Sequence, residues 1–221
     1  MTPVVLVVRV GDAAGSRATA ATLACIASEP DRAALLIDLE EGSPQRSTLV
    51  ATAGARVLEE RLVAHLPDAA VASRGRICQL KLSSDREAIE TISAALPLVR
   101  ESAAVVHLPP SLLRAVLAEP CIQPTAALLR ADLAENRALT ALAVRDLMAR
   151  GLRVAVLKRP PGWLTTRAAL LGALTSGRQL LPERLRKRLL QSEDRKFLQC
   201  YDRKDDSKDE REEPQTSWGR S

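Results

Sequence analysis

Aromatic side chains are nearly missing from this chain: two Trp, one Tyr and one Phe in 221 residues, or 2%. Modules that hold single-stranded nucleic acid stack bases on aromatic rings, so that class, with the common RNA-binding folds, is excluded. Histidine is equally scarce. Only His65 and His107 could join the four cysteines Cys25, Cys78, Cys121 and Cys200, which are scattered without a C-x-x-C pair. That spacing argues against a metal site or a disulfide framework and for reduced thiols. No apolar run approaches the ~20 residues of a membrane helix. The first apolar stretch, Val4–Val10, has no basic segment before it and is interrupted by Arg9. It reads as a core strand and not as a signal peptide, so a cytoplasmic protein is expected.

What the chain does have is aliphatic residues, 46% hydrophobic with Ala, Leu and Val prominent. At this length they suffice for one sizeable core. The net charge of +5 is unevenly placed, because Asp202–Glu213 is net acidic and leaves the remainder more basic. A basic body attracts phosphate polymers or anionic lipid, although a GC-rich coding bias yields the same excess of Arg over Lys.

Short apolar runs bounded by Gly, Pro or charge recur at Val4–Val10, Ala34–Leu39, Arg76–Leu82, Ala103–Leu108, Ala126–Arg130 and Val154–Lys158. Runs of that kind suit parallel strands buried on both faces. Helical patterns lie between them at Ala20–Ala27, Ala53–His65, Asp85–Val99, Pro110–Ala118 and Glu135–Arg150. The last places Leu139, Leu142, Ala143, Leu147 and Met148 on one stripe and stops at Gly151, a C-cap residue. The alternation predicts a three-layer, doubly wound α/β protein, its mostly parallel sheet flanked by helices on both faces. After Pro160-Pro161-Gly162 the strand pattern ends. Trp163–Ala173 reads as a helix, Pro182 opens another toward Leu198, and Asp202–Ser221 reads as a disordered charged tail.

The first strand runs into Gly11-Asp12-Ala13-Ala14-Gly15-Ser16-Arg17-Ala18-Thr19 and then a helix, the layout of a P-loop nucleotide site. A working loop reads G-x-x-x-x-G-K-[ST], with Lys on the β/γ-phosphates and a hydroxyl on Mg²⁺. Here Val10 stands at the first motif position, Ser16 at the Lys and Arg17 at the hydroxyl. The frame is present and its working groups are not. A helix opening near Ser16, with Arg17 beside it, still offers free N–H groups to an anion. Asp12 opposes this by placing a carboxylate among the phosphate positions.

Three later strand ends repeat the pattern. Leu35-Leu36-Ile37-Asp38-Leu39-Glu40 is an apolar strand ending in two carboxylates, Ala104-Val105-Val106-His107-Leu108-Pro109-Pro110-Ser111 carries His107 before a Pro pair, and Val156-Leu157-Lys158-Arg159-Pro160 ends in two cations. Taken with the first loop, these stretches make residues Val4 to Gly162 resemble the ParA/MinD-type ATPases, the deviant-Walker group of P-loop proteins. In that family the first loop reads K-G-G-x-G-K-[ST]-T. Gly11 stands at its cross-dimer Lys, Asp12 and Ala13 at its glycines, and Gly15 and Leu23-Ala24 match. The family's second motif is Asp-x-Asp, whose carboxylates help handle Mg²⁺ and water; Asp38 matches and Glu40 replaces the second Asp. Asp38 could equally do no more than cap the following turn. The family's Walker B reads Asp-x-Pro-Pro, and here the Asp is His107, which cannot supply that carboxylate's charge beside Mg²⁺. His107 is either a general base or pH-sensitive group, or a histidine hydrogen-bonded in place. Lys158 falls where the family reads the base through Asn, without the amide that adenine recognition needs.

The resemblance therefore implies a P-loop NTPase-like fold holding a vestigial nucleotide site made of Gly11, Gly15, Ser16, Arg17, Asp38, Glu40, His107 and Lys158. Phosphoryl transfer depends on positioned charge, so no ATPase activity, no cofactor, no metal site and no ATP-dependent dimer are expected. The function implied is a scaffold or regulatory protein of a bacterial positioning or assembly system, in division, partition or pilus biogenesis. Its partner would be another protein, such as a functional relative. The alternatives are a divergent nucleotide-binding ATPase, and a peripheral membrane or DNA binder at the inner membrane face. The last rests on Leu181, Leu185 and Leu189 spaced four apart among Arg184, Arg186, Lys187 and Arg188, a pattern that meets lipid, contacts DNA or packs on the sheet. The expected organisation is residues 1–176 as the degenerate domain, 177–200 as the basic helix and 201–221 as the tail.

Overall fold

The computed structural model describes residues 3–11, 13–29, 31–39, 50–83, 85, 87–99, 102–131 and 136–158. Along the chain run β1 (Val4–Val10), α1 (Ala13–Ala27), β2 (Ala34–Asp38), α2 (Ala53–His65), β3 (Ala70–Arg74) and β4 (Ile77–Lys81). Then follow α3 (Glu87–Ala95), a 3-10 turn (Leu96–Val99), β5 (Ala104–Leu108), α4 (Pro110–Ala118), β6 (Pro124–Ala131), α5 (Arg137–Ala149) and β7 (Arg153–Lys158). The seven strands form one sheet in the order β3-β4-β2-β5-β1-β6-β7. All neighbours are parallel except β3 and β4. The mostly parallel α/β sheet expected from the alternation is the one observed.

Strand polarity separates two cores. On one face Leu6, Val8, Leu35, Ile37, Val106 and Leu108 pack with residues of α2, α3, α4 and α5. On the other, Val5, Val7, Leu36 and Val105 pack against Ala20, Leu23, Ala24 and Ile26 of α1. Alternate residues of a strand point to opposite faces, so each of β1, β2 and β5 feeds both cores and must be apolar nearly throughout. The small alanines of α1 let its axis lie close to the sheet, and Ala20–Ser28 is buried on every side.

Four local outcomes differ from the sequence reading. Strand β3 was not expected; it joins β4 antiparallel through a tight turn at Gly75, whose φ of 51° suits glycine in a hairpin. Helix α1 begins at Ala13, not Ala20, because Ala13 and Ala14 favour helix and no second glycine beside Gly11 holds an extended loop. The predicted helix Asp85–Val99 divides into α3 and the 3-10 turn; Pro97 lacks the N–H that would continue an α-helix. On α5 the expected stripe holds at Ala143 and Leu147 only. Leu139, Leu142 and Met148 are exposed, while Thr140, Ala143 and Leu147 form the buried side. The C-terminal expectation at Gly151 holds, with φ at 70°.

Candidate functional site

The carboxyl ends of β4, β2 and β5 carry polar residues on the face that α1 covers. Register places Asp38 beside Lys81 of β4 and beside His107 of β5. Gln79, two residues before Lys81, lies on the same face. Asp38, His107, Gln79 and Lys81 are all buried, as are Ser16 and Thr19 of α1. Burying this many polar groups is costly unless they find partners, and four of them, Ser16, His107, Asp38 and Gln79, bond to one another.

His107 lies at the centre. Its Nδ1 is 2.8 Å from Asp38 Oδ1 and its Nε2 is 2.9 Å from Ser16 Oγ. A carboxylate oxygen only accepts, so the partners assign the imidazole N–H to Nδ1, and Ser16 donates its hydroxyl proton toward Nε2. The other carboxylate oxygen, Oδ2, accepts from Gln79 Nε2 at 3.4 Å and is ion-paired with Arg17 Nε at 3.4 Å. The Lys81 ammonium is held below its ordinary pKa by burial; the Asp38 charge works against this, and Arg17 and Arg74 add to it.

Of the expected site residues, the structure brings together Ser16, Arg17, Asp38 and His107. Gly11 is an exposed turn with φ at 107°, and Gly15 belongs to the first turn of α1. Lys158 ends β7, separated from β5 by β1 and β6, so its backbone is not part of this cluster. Glu40 lies outside the described residues, as do Arg184, Arg186, Lys187 and Arg188 and the expected basic helix and tail. Gln79 and Lys81 were missed. Their signal was available: polar residues at alternate positions of an otherwise apolar strand mark a face that must find polar partners.

The stretch expected as a glycine loop is largely helical. With α1 starting at Ala13, residues 13–16 are helical, and Ser16 turns its hydroxyl into the sheet toward His107. A cavity of about 530 Å³ does exist, but it lies at the opposite ends of the strands, lined by Asp31, Arg32, Gly54, Arg61 and Leu98 among others.

No family model matches the chain, and no curated protein matches it. Among solved structures, apo McdA from Cyanthece is similar over 86% of this chain and 90% of that chain, at 16% identity and a TM-score of 0.41. The fold itself is a mostly parallel seven-stranded α/β sheet with helices on both faces. At that identity and TM-score the likeness carries nothing over to this chain. Among the described residues, no helix is long and apolar enough to cross a membrane.

Proposed function

We propose that this chain is a ParA/MinD-like pseudo-ATPase, a scaffold or regulatory protein of a bacterial positioning or assembly system that binds another protein instead of turning over nucleotide. The observation that carries this reading is the closed Ser16–His107–Asp38 chain. The residue at the phosphate-Lys position and the residue at the Walker B position are bonded to each other. Asp38, at the position whose carboxylate would help handle Mg²⁺, is engaged by His107, Gln79 and Arg17. A triphosphate entering there would have to break these bonds, and phosphoryl transfer relies almost wholly on positioned charge. The partner surface is then the end of the sheet where Gly11 and the β5–α4 turn lie.

Titration of the full chain with a fluorescent ATP analogue, with and without Mg²⁺, tests this. The expected result is no saturable binding in the micromolar range under either condition. Mg²⁺-dependent micromolar binding, or steady-state phosphate release lost on Asp38→Ala, overturns it.

A further inference from the structure

The polar chain that blocks phosphate chemistry has the connectivity of a different reaction. We propose that Ser16 is an activated nucleophile, with His107 as its general base and Asp38 as the residue that orients the imidazole, and that it accepts short acyl groups from small esters. This goes beyond the pseudo-ATPase reading and does not depend on it.

The order of contacts is the basis. A serine hydroxyl meets the imidazole at Nε2, and a carboxylate holds Nδ1 on the far side, at 2.9 and 2.8 Å. Both distances fall within the hydrogen-bond reach required of a nucleophile, its base and the group orienting that base. The three side chains come from α1, β5 and β2, and the register of Asp38 against His107 fixes the second contact through the backbone. With Nδ1 donating to the carboxylate, the lone pair of Nε2 points at Ser16 Oγ. Packing alone does not require such a chain, since a buried polar cluster exchanged for apolar side chains of equal volume is often no less stable.

Access sets the substrate class. The side chains of His107 and Asp38 are 1% and 0% exposed, whereas that of Arg17, ion-paired to Asp38, is 30% exposed. Arg17, the residue after Ser16 on α1, is therefore the most exposed side chain of the group. An ester reaches Ser16 when this side chain swings aside, which favours small acyl groups. Ser16 Oγ attacks the carbonyl carbon while its proton passes to His107 Nε2. The bond from that carbon to the alcohol oxygen breaks, and the alcohol leaves with the proton. Water, losing a proton to the same nitrogen, then adds to the acyl carbon; the bond from that carbon to Ser16 Oγ breaks, Oγ takes the proton back from Nε2, and the carboxylic acid leaves.

The test uses the full chain with a small dialkyl fluorophosphate, followed by peptide mass mapping. Oγ displaces fluoride from phosphorus, so the expected adduct lies on Ser16 and is absent from Ser16→Ala. His107→Gln should label at least about 100-fold more slowly, the usual scale of a general base, and Arg17→Ala should label faster than the parent. No Ser16 adduct in either the parent or Arg17→Ala overturns the proposal, as does labelling at an equal rate in His107→Gln. Should His107→Gln not fold, ¹⁵N NMR of the parent decides instead: protonated Nδ1 with bare Nε2 supports the base, and the opposite tautomer removes it. The nucleotide titration above reads the other proposal, so either can fail alone.

Discussion

Asp38 and His107 are register partners on neighbouring parallel strands, and their side chains meet at 2.8 Å in a site with no exposed carboxylate surface. The same carboxylate accepts from Gln79 and faces Arg17 and Lys81. Among the described residues it is the one buried anion, and these donors are arranged around it.

Removing that charge should therefore cost more than the hydrogen bond alone. Asp38→Asn leaves buried cationic groups without their counter-charge, a change of about 3 kcal/mol in comparable buried pairs. Urea unfolding of parent and variant measures it. A loss smaller than about 1 kcal/mol would mean that the cations are balanced elsewhere.

Thiol reactivity should separate the cysteines. Burial, helped by the nearby Glu59 charge, pushes the Cys78 thiol up to about 12, and Cys121 is exposed. Only thiolates react at a useful rate. In a Cys200→Ser background, a disulfide reagent near pH ~8 should modify Cys121 quickly and Cys78 only with unfolding. Equal rates at both would show that the β4 core opens readily.

Two glycines should fail for different reasons. A Cβ on Gly54 would sit 2.6 Å from the Asp31 carbonyl oxygen, so Gly54→Ala must displace backbone and should cost about 1–3 kcal/mol. At Gly151 nothing lies within 4 Å of the added carbon, yet φ is 70°. Gly151→Ala should lose about 1 kcal/mol through backbone strain, and Gly151→Asn less, because Asn tolerates that conformation. Thermal melts of the three variants give the comparison; equal losses for Ala and Asn at position 151 would remove the strain explanation.

Helices α4 and α5 are tied by Arg114, whose Nε and Nη2 reach the Asp146 carboxylate at 2.7 and 3.4 Å. The Arg114 hydrogen bond, followed by the charges of Arg114 and Arg145, holds the Asp146 carboxyl below its ordinary value. A depressed carboxyl contributes stability that is present above its unfolded pKa and lost as pH falls through the folded value. Arg114→Ala should move the Asp146 titration up toward the ordinary range in a carbon-detected NMR experiment. An unmoved titration would assign the depression to another group.

Much of this architecture could be read along the chain. Val4–Val10 and the stretches around Ala34–Ile37 and Ala104–Leu108 are apolar on both strand faces, which only a doubly covered sheet accommodates. Pro110 and the α2 boundaries fell where expected because proline at a first helical position and Thr52 as N-cap are local signals, the latter confirmed by its bond to the Ala55 N–H at 3.4 Å. Strand β3 was not legible because an edge strand with partly exposed residues carries little hydrophobic pattern. The α5 stripe misled because leucines at 139 and 142 are as compatible with helix propensity as with burial, and only the position of the sheet decides which side is covered.

The order of residues determined the alternation of strands and helices and the presence of Ser16, Asp38 and His107 at three separate strand or helix ends. It could not determine that these three meet, since they are 69 and 91 positions apart in the contacts they make. That was decided by the crossovers that set β2 against β5 and lay α1 over both. The parallel register brought carboxylate and imidazole to one level. Burial then favoured pairing between the imidazole and the carboxylate, because water does not reach those two side chains.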